Sequence, residues 1–81
     1  MIDPNSSIEI YTVRGCIYCH MAREMLESRG LKYTEYDVKA GTGRAREMMR
    51  RTRSNSVPQI FIDGEFVGGS HELAELLAEK R

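Results

Sequence analysis

Hydrophobic and polar positions in this chain change period several times. Ile8-Glu9-Ile10-Tyr11-Thr12 alternates and is rich in β-branched and aromatic side chains, the pattern of a strand. Val13-Arg14-Gly15 breaks it, and from Cys16 the period becomes helical. Ile17, Met21, Ala22, Met25 and Leu26 fall on one apolar stripe, with Arg23, Glu24, Glu27 and Ser28 on the other side. Gly30 fits the position just past a helix C-terminus. Leu31 to Val38 then reads as a second strand. A single helix between the two strands predicts parallel pairing through a right-handed crossover.

The second half begins with Gly41-Thr42-Gly43, where Thr42 or Gly43 caps a helix over 43–52 with Ala45, Met48 and Met49 inward. Ser54-Asn55-Ser56 ends it, and Gln59-Ile60-Phe61-Ile62 is a third strand. Asp63-Gly64 is a two-residue hairpin signal, with Glu65-Phe66-Val67 returning. Gly68-Gly69 breaks the strand, Ser70 is a candidate N-cap, and Leu73, Ala74, Leu76 and Leu77 mark a last helix to about residue 80. The order β-α-β-α-β-β-α predicts an α/β fold: a four-stranded mixed sheet flanked by three helices, one domain over 1–81.

Composition narrows the function classes. A chain of 81 residues buries only ~60% of its unfolded surface, so its core is thin. Hydrophobic residues make up 41% and charged residues 30%, too apolar for a disordered chain. Twelve basic and twelve acidic side chains cancel, which argues against nucleic-acid binding. The apolar runs are far too short for a membrane span. The lead-in over residues 1–7 has neither a basic nor an apolar region of the kind that directs secretion. Two cysteines are too few for a secreted disulfide scaffold. A reducing cytoplasm is therefore expected, and a close cysteine pair there points to redox work or metal binding.

That pair is Cys16-Ile17-Tyr18-Cys19, placed between the first strand and the first helix. At a helix start several N–H groups lack an intrahelical partner and the macrodipole is positive. A thiolate there is stabilised relative to the thiol. Cys16 occupies that place and is the expected nucleophile. Cys19, one turn on and more shielded, acts second, and the helical spacing brings the two sulfurs close enough to bridge. Arg14 adds positive potential nearby. Three other readings compete. Two buried structural cysteines would need no strand–helix turn. A structural zinc site wants four ligands, and His20 beside Cys19 points elsewhere on the helix. The stretch Cys16 to His20 also matches the C-x-x-C-H haem-attachment pattern, but the four strand-like segments and the lead-in argue against it.

Beyond the cysteines, three blocks resemble the glutaredoxins. They are Tyr11-Thr12 followed by Cys16-Ile17-Tyr18-Cys19, then Ser56-Val57-Pro58-Gln59-Ile60-Phe61-Ile62, then Gly68-Gly69-Ser70. The resemblance covers nearly the whole chain and implies a thioredoxin-like fold and thiol–disulfide exchange with glutathione as reductant, with no obligate metal. Pro58 opens a strand, where a missing N–H is tolerated. The resemblance implies that it is cis and lies beside the cysteines, leaving the Val57 backbone free to pair with an extended substrate such as glutathione. It further implies that Tyr18 flanks the groove, with Ser56 at the start of the Val57 segment. Gly69, Ser70 and His71 would receive the γ-glutamyl end, because N–H groups at a helix start hold a carboxylate. Implied partners are glutathione, protein disulfides and glutathionylated proteins, with a monomeric chain. The basic run of Lys39, Arg44, Arg46, Arg50, Arg51 and Arg53 is a solvated helix face from which one or two arginines meet the glycine carboxylate of glutathione.

The chain departs from the family pattern at three places. Ile17 stands where two-cysteine members usually carry proline, Val13 where they carry lysine, and His71 where they carry an acid, with Glu72 next. These departures leave two alternatives open. One is a redoxin reduced by thioredoxin reductase that supplies electrons to ribonucleotide reductase. The other is a glutathione-ligated [2Fe-2S] carrier bridging two subunits through Cys16.

Overall fold

The computed structural model describes residues 3–39 and 41–78. Its elements are β1 (Ile8–Thr12), α1 (Ile17–Ser28), β2 (Thr34–Asp37), α2 (Gly43–Thr52), β3 (Gln59–Ile62), β4 (Glu65–Gly68) and α3 (Ser70–Ala78). The four strands form one mixed sheet in the order β2-β1-β3-β4. β1 runs parallel to β2 and antiparallel to β3, and β4 returns antiparallel to β3.

The central strands are apolar on both faces, so helices must cover both. Ile8 and Ile10 of β1 and Ile60 and Ile62 of β3 point to one side, where they pack with Ala22 and Leu26 of α1 and Leu73 and Leu77 of α3. Tyr11 and Phe61 point to the other side and pack with Val38 and Met48. The period of two along β1 and β3 thus builds two small cores on either side of one sheet.

Tight local devices set the connections. Thr42 is the N-cap of α2, its hydroxyl accepting from the Ala45 N–H at 3.3 Å. Asp63 and Gly64 both have positive φ, at 53° and 84°, as a two-residue hairpin turn requires. The Asp63 carboxylate also accepts from the Ser7 N–H at 2.9 Å, tying that turn to the entry of β1.

Four expectations shift. The second strand begins at Thr34 rather than Leu31, because the chain is still closing α1. The Leu31 N–H returns to the Leu26 carbonyl and the Gly30 N–H to that of Glu27, both at 3.0 Å, a Schellman closure around Gly30. The inward face of α1 is Cys19, Ala22 and Leu26, with Met25 packed beside them. Ile17 and Met21, read as part of the stripe, are 64% and 46% exposed. On α2, Met48 is buried while Met49 faces out. A ten-residue helix lying on one corner of the sheet needs only a narrow apolar seam. On α3, Gly69 rather than Ser70 is the capping residue, since its carbonyl accepts the Leu73 N–H at 3.0 Å. The helix's expected end near residue 80 falls outside the described residues.

Candidate active site

Cys16 is the N-cap of α1. Its backbone is extended, with φ −90° and ψ 117°, and its sulfur accepts a hydrogen bond from the Cys19 N–H at 3.2 Å. An otherwise unpaired amide of the helix start is therefore aimed at the half-buried Cys16 sulfur. Cys19 is wholly buried. Both are free thiols. Burial, aided by the neighbouring Cys16 sulfur, pushes the Cys19 thiol up to about 12. The pair is thus unsymmetrical: one accessible sulfur receiving an N–H and one protonated, sheltered sulfur a turn away.

A groove of about 580 Å³ brings together Tyr18, Ser56, Val57, Pro58, Gly69, Ser70 and His71. Neither cysteine is among its lining residues, but Tyr18, which lies between them in sequence, is. The Val57–Pro58 peptide bond is cis. The β1–β3 ladder ends at the Tyr11–Gln59 pair, so Val57 lies beyond it and its backbone groups carry no ladder bond. Pro58 is buried beneath.

The far end of the groove has a feature only half foreseen. Glu72, the third residue of α3, folds back so that its Oε1 accepts the Gly69 N–H at 2.9 Å. This is the carboxylate half of a capping box. The Gly69 amide, together with the helix-start amide of Glu72, holds that carboxyl below the usual carboxylate range. The return needs Gly68, whose φ is 131° and where a Cβ would lie 2.7 Å from the Glu72 Cγ. At Gly69 a Cβ would come within 3.4 Å of the Pro58 carbonyl, so a bare backbone lets α3 sit close to that segment. His71 lines this end of the groove with its Nε2 3.3 Å from Glu75 one turn on, and His20 likewise lies 3.7 Å from Glu24.

Several lining residues were missed. Thr52, Ser54 and Gln59 form a hydroxyl and amide wall with Ser56. The Thr52 hydroxyl accepts the Ser54 N–H at 3.0 Å, the Ser54 and Ser56 hydroxyls meet at 2.9 Å, and Gln59 donates to the Ser56 carbonyl at 2.9 Å. Ser54 was legible only as part of a helix stop. Phe66 also lines the groove while 48% exposed, its ring tilted against that of Phe61 at 5.3 Å.

The arginines expected near this site are elsewhere. None of those on α2 lines the groove; Thr52 is the only residue of that helix that does. Arg51 donates to Glu9 at 3.1 Å and to the Tyr11 hydroxyl at 2.6 Å, and lies 3.7 Å over the Phe61 ring. Arg44 pairs with Glu47 at 2.9 Å and covers the Tyr36 ring at 3.9 Å. These side chains serve the sheet face under α2. Arg14 lines a separate groove.

Comparison with known proteins agrees with this arrangement. The sequence model of one family, described as Glutaredoxin, matches residues 8–67. Glutaredoxin 3 of Escherichia coli K12 is 38% identical over 71 residues, covering 88% of this chain and 86% of the relative. Among solved structures, a glutaredoxin from Brucella melitensis is 38% identical with a TM-score of 0.74, over 88% of this chain and 77% of that one. Glutaredoxin 1 from Francisella tularensis, in complex with cacodylate, is 28% identical with a TM-score of 0.74, over 91% and 99%. With its paired thiols at a helix start, its β-α-β-α-β-β-α sheet and these relatives, the chain belongs to the glutaredoxin family, whose chemistry is thiol–disulfide exchange.

Proposed function

We propose that this chain reduces protein disulfides and glutathione mixed disulfides with glutathione as its electron source, as a monomer in the cytoplasm. The observation that carries the reading is the single groove running from Tyr18 past Val57 to the Gly69–Ser70 turn. Its lining offers the free backbone of Val57 and, at one end, helix-start amides, which suits an extended peptide-like ligand with a carboxylate at that end. The glutathione cysteine would lie toward Cys16 with its backbone paired to Val57. Its γ-glutamyl carboxylate would meet the N–H groups of Ser70 and His71 at the start of α3. Glu72 already occupies the Gly69 amide, so its carboxylate is the available partner for the γ-glutamyl amine. That supports a role for Glu72 where the family pattern places an acid at the position of His71.

In the exchange, the Cys16 thiolate attacks one sulfur of a disulfide. A Cys16 mixed disulfide forms and the other sulfur leaves as thiolate. Cys19 then loses its proton and attacks the Cys16 sulfur, releasing the reduced substrate and leaving a Cys16–Cys19 disulfide. Alternatively, a second glutathione attacks a glutathione mixed disulfide on Cys16. Two glutathiones regenerate the dithiol and leave as glutathione disulfide.

Two measurements test the reading. Reduction supported by glutathione with its reductase should exceed that supported by thioredoxin reductase; the reverse order overturns glutathione dependence. Chemical-shift mapping of the Cys19→Ser protein carrying glutathione on Cys16 should perturb residues 56–58 and 69–72. Shifts absent from both segments overturn the binding mode.

A further inference from the structure

The reaction asks a buried thiol to become a nucleophile, and nothing in the first groove helps it. A second groove of about 390 Å³ shares no lining residue with the first, and Thr12, Val13, Arg23 and Glu35 are among those that line it. Three elements meet there on one carboxylate oxygen. Arg23 of α1 donates to Glu35 Oε2 at 2.8 Å, and the Thr12 hydroxyl at the end of β1 donates to the same oxygen at 2.7 Å. Thr12 is 3% exposed, so this anchor is rigid.

The cluster reaches Cys19 from two sides. Arg23 stands four residues after Cys19 on α1, one turn along the same face. Val13, next in the chain to Thr12, lines the same groove and brings its backbone near the Cys19 sulfur. Burial raises the Cys19 thiol, whereas the Val13 amide and the Arg23 charge both act in the opposite direction. Arg14 also lines this groove, but it is exposed and, among the described residues, no carboxylate pairs with it.

We propose that Arg23, fixed by Glu35 and Thr12, is a positioning residue for the second half of the exchange, where its guanidinium stabilises the negative charge that builds on the Cys19 sulfur. As Cys19 gives up its proton to solvent, its sulfur attacks the Cys16 mixed disulfide. The bond between Cys16 and the substrate sulfur breaks, and the substrate leaves as thiolate. The inference rests on the exchange by Cys16 and Cys19 and is independent of glutathione.

A chromogenic aryl disulfide followed by stopped flow separates the steps. Attack by Cys16 gives a first, concentration-dependent release of aryl thiolate. Attack by Cys19 gives a second, concentration-independent release that Cys19→Ser abolishes. Arg23→Gln should leave the first phase unchanged and slow the second about fivefold, the scale of one charge acting through a partly solvated interior. Arg23→Lys should restore most of the second phase. If Arg23→Gln does not fold, Glu35→Ala carries the test: it frees the guanidinium and should slow only the second phase. An unchanged second phase, or equal slowing of both phases, overturns the role given to Arg23. No first phase in the unsubstituted protein overturns the exchange reading itself, and this inference with it.

Discussion

Cys16 and Cys19 are the same side chain in two environments, and the difference assigns their roles. Cys16 sits half-buried at the head of α1 with an amide on its sulfur, while Cys19 is sealed within the fold. Cys16→Ser should therefore reduce disulfide exchange to the uncatalysed rate. Cys19→Ser should retain activity on glutathione mixed disulfides, read in a coupled assay with glutathione reductase. Because Cys19 is held up at about 12, iodoacetamide at neutral pH should label Cys16 and leave Cys19 intact, as peptide mass mapping will show. Preferential labelling of Cys19 would reverse the roles. At the other end of the groove, Glu72→Gln keeps a hydrogen-bond acceptor for Gly69 but removes the charge offered to a ligand amine. Apparent affinity for glutathione should fall several-fold in this variant with little change in folding. His71→Asp should raise it by adding a second acid at the turn. Steady-state titration of glutathione reads both.

At the scale of elements, the β4–α3 corner is the most demanding join in the chain. Gly68 has φ 131°, and any side chain there meets the returning Glu72. Gly68→Ala should destabilise the fold by about 1–3 kcal/mol, the usual cost of a non-glycine residue held in so sparsely populated a region. A urea midpoint unchanged from the parent would show that the corner relaxes freely. The head of α2 gives a milder case. Thr42→Ala removes the hydroxyl that accepts the Ala45 amide and should cost about 1 kcal/mol by the same measurement. α1 places an exposed apolar row of Ile17 and Met21 next to Tyr18, outside the core its spacing suggested. A helix with neighbours on one side only buries one seam. The rest of its apolar surface is set beside the active site.

For the whole molecule, ionisation limits stability on both sides of neutrality. Arg51 holds Glu9 below its ordinary value, and the Tyr11 hydroxyl does the same for Glu47. Such carboxylates stabilise the fold above the unfolded value near 4.5, and the contribution is lost as pH falls through their lower folded values. Cys19 is raised from 9 to about 12 and Tyr33 from 10 to about 12, chiefly by burial. Below 9 both states keep these protons. As pH climbs from there to about 12 the unfolded chain ionises first and the fold loses ground. Urea midpoints should form a plateau from about pH 5 to 9 and fall on either side. Glu9→Gln should flatten the acid limb, and Cys19→Ala should flatten the alkaline one. Limbs unchanged by these substitutions would place the titrating groups elsewhere.

The sequence by itself determined what depends on neighbours along the chain. The period of two in Ile8–Thr12 and Gln59–Ile62, the Asp63-Gly64 turn, the cap at Thr42 and the thiol at a helix start are all short-range devices, and each stands where its residues predict. The family resemblance likewise pointed to seven residues that meet in one groove. What tertiary structure alone decided is which apolar or charged positions find a partner. Ile17, Met21 and Met49 are as apolar as their buried neighbours, yet among the described residues no element lies over them. Arg44 and Arg51 are drawn to Tyr36, Tyr11 and Glu9 because the sheet brings those side chains beneath α2 from 8 to 42 residues away in sequence. The contact of Arg23 with Glu35 and Thr12 arises the same way, from a helix and two strands that only the folded sheet makes adjacent. Local spacing carries no information about such pairs, since their energy depends on distances set by packing across the whole domain.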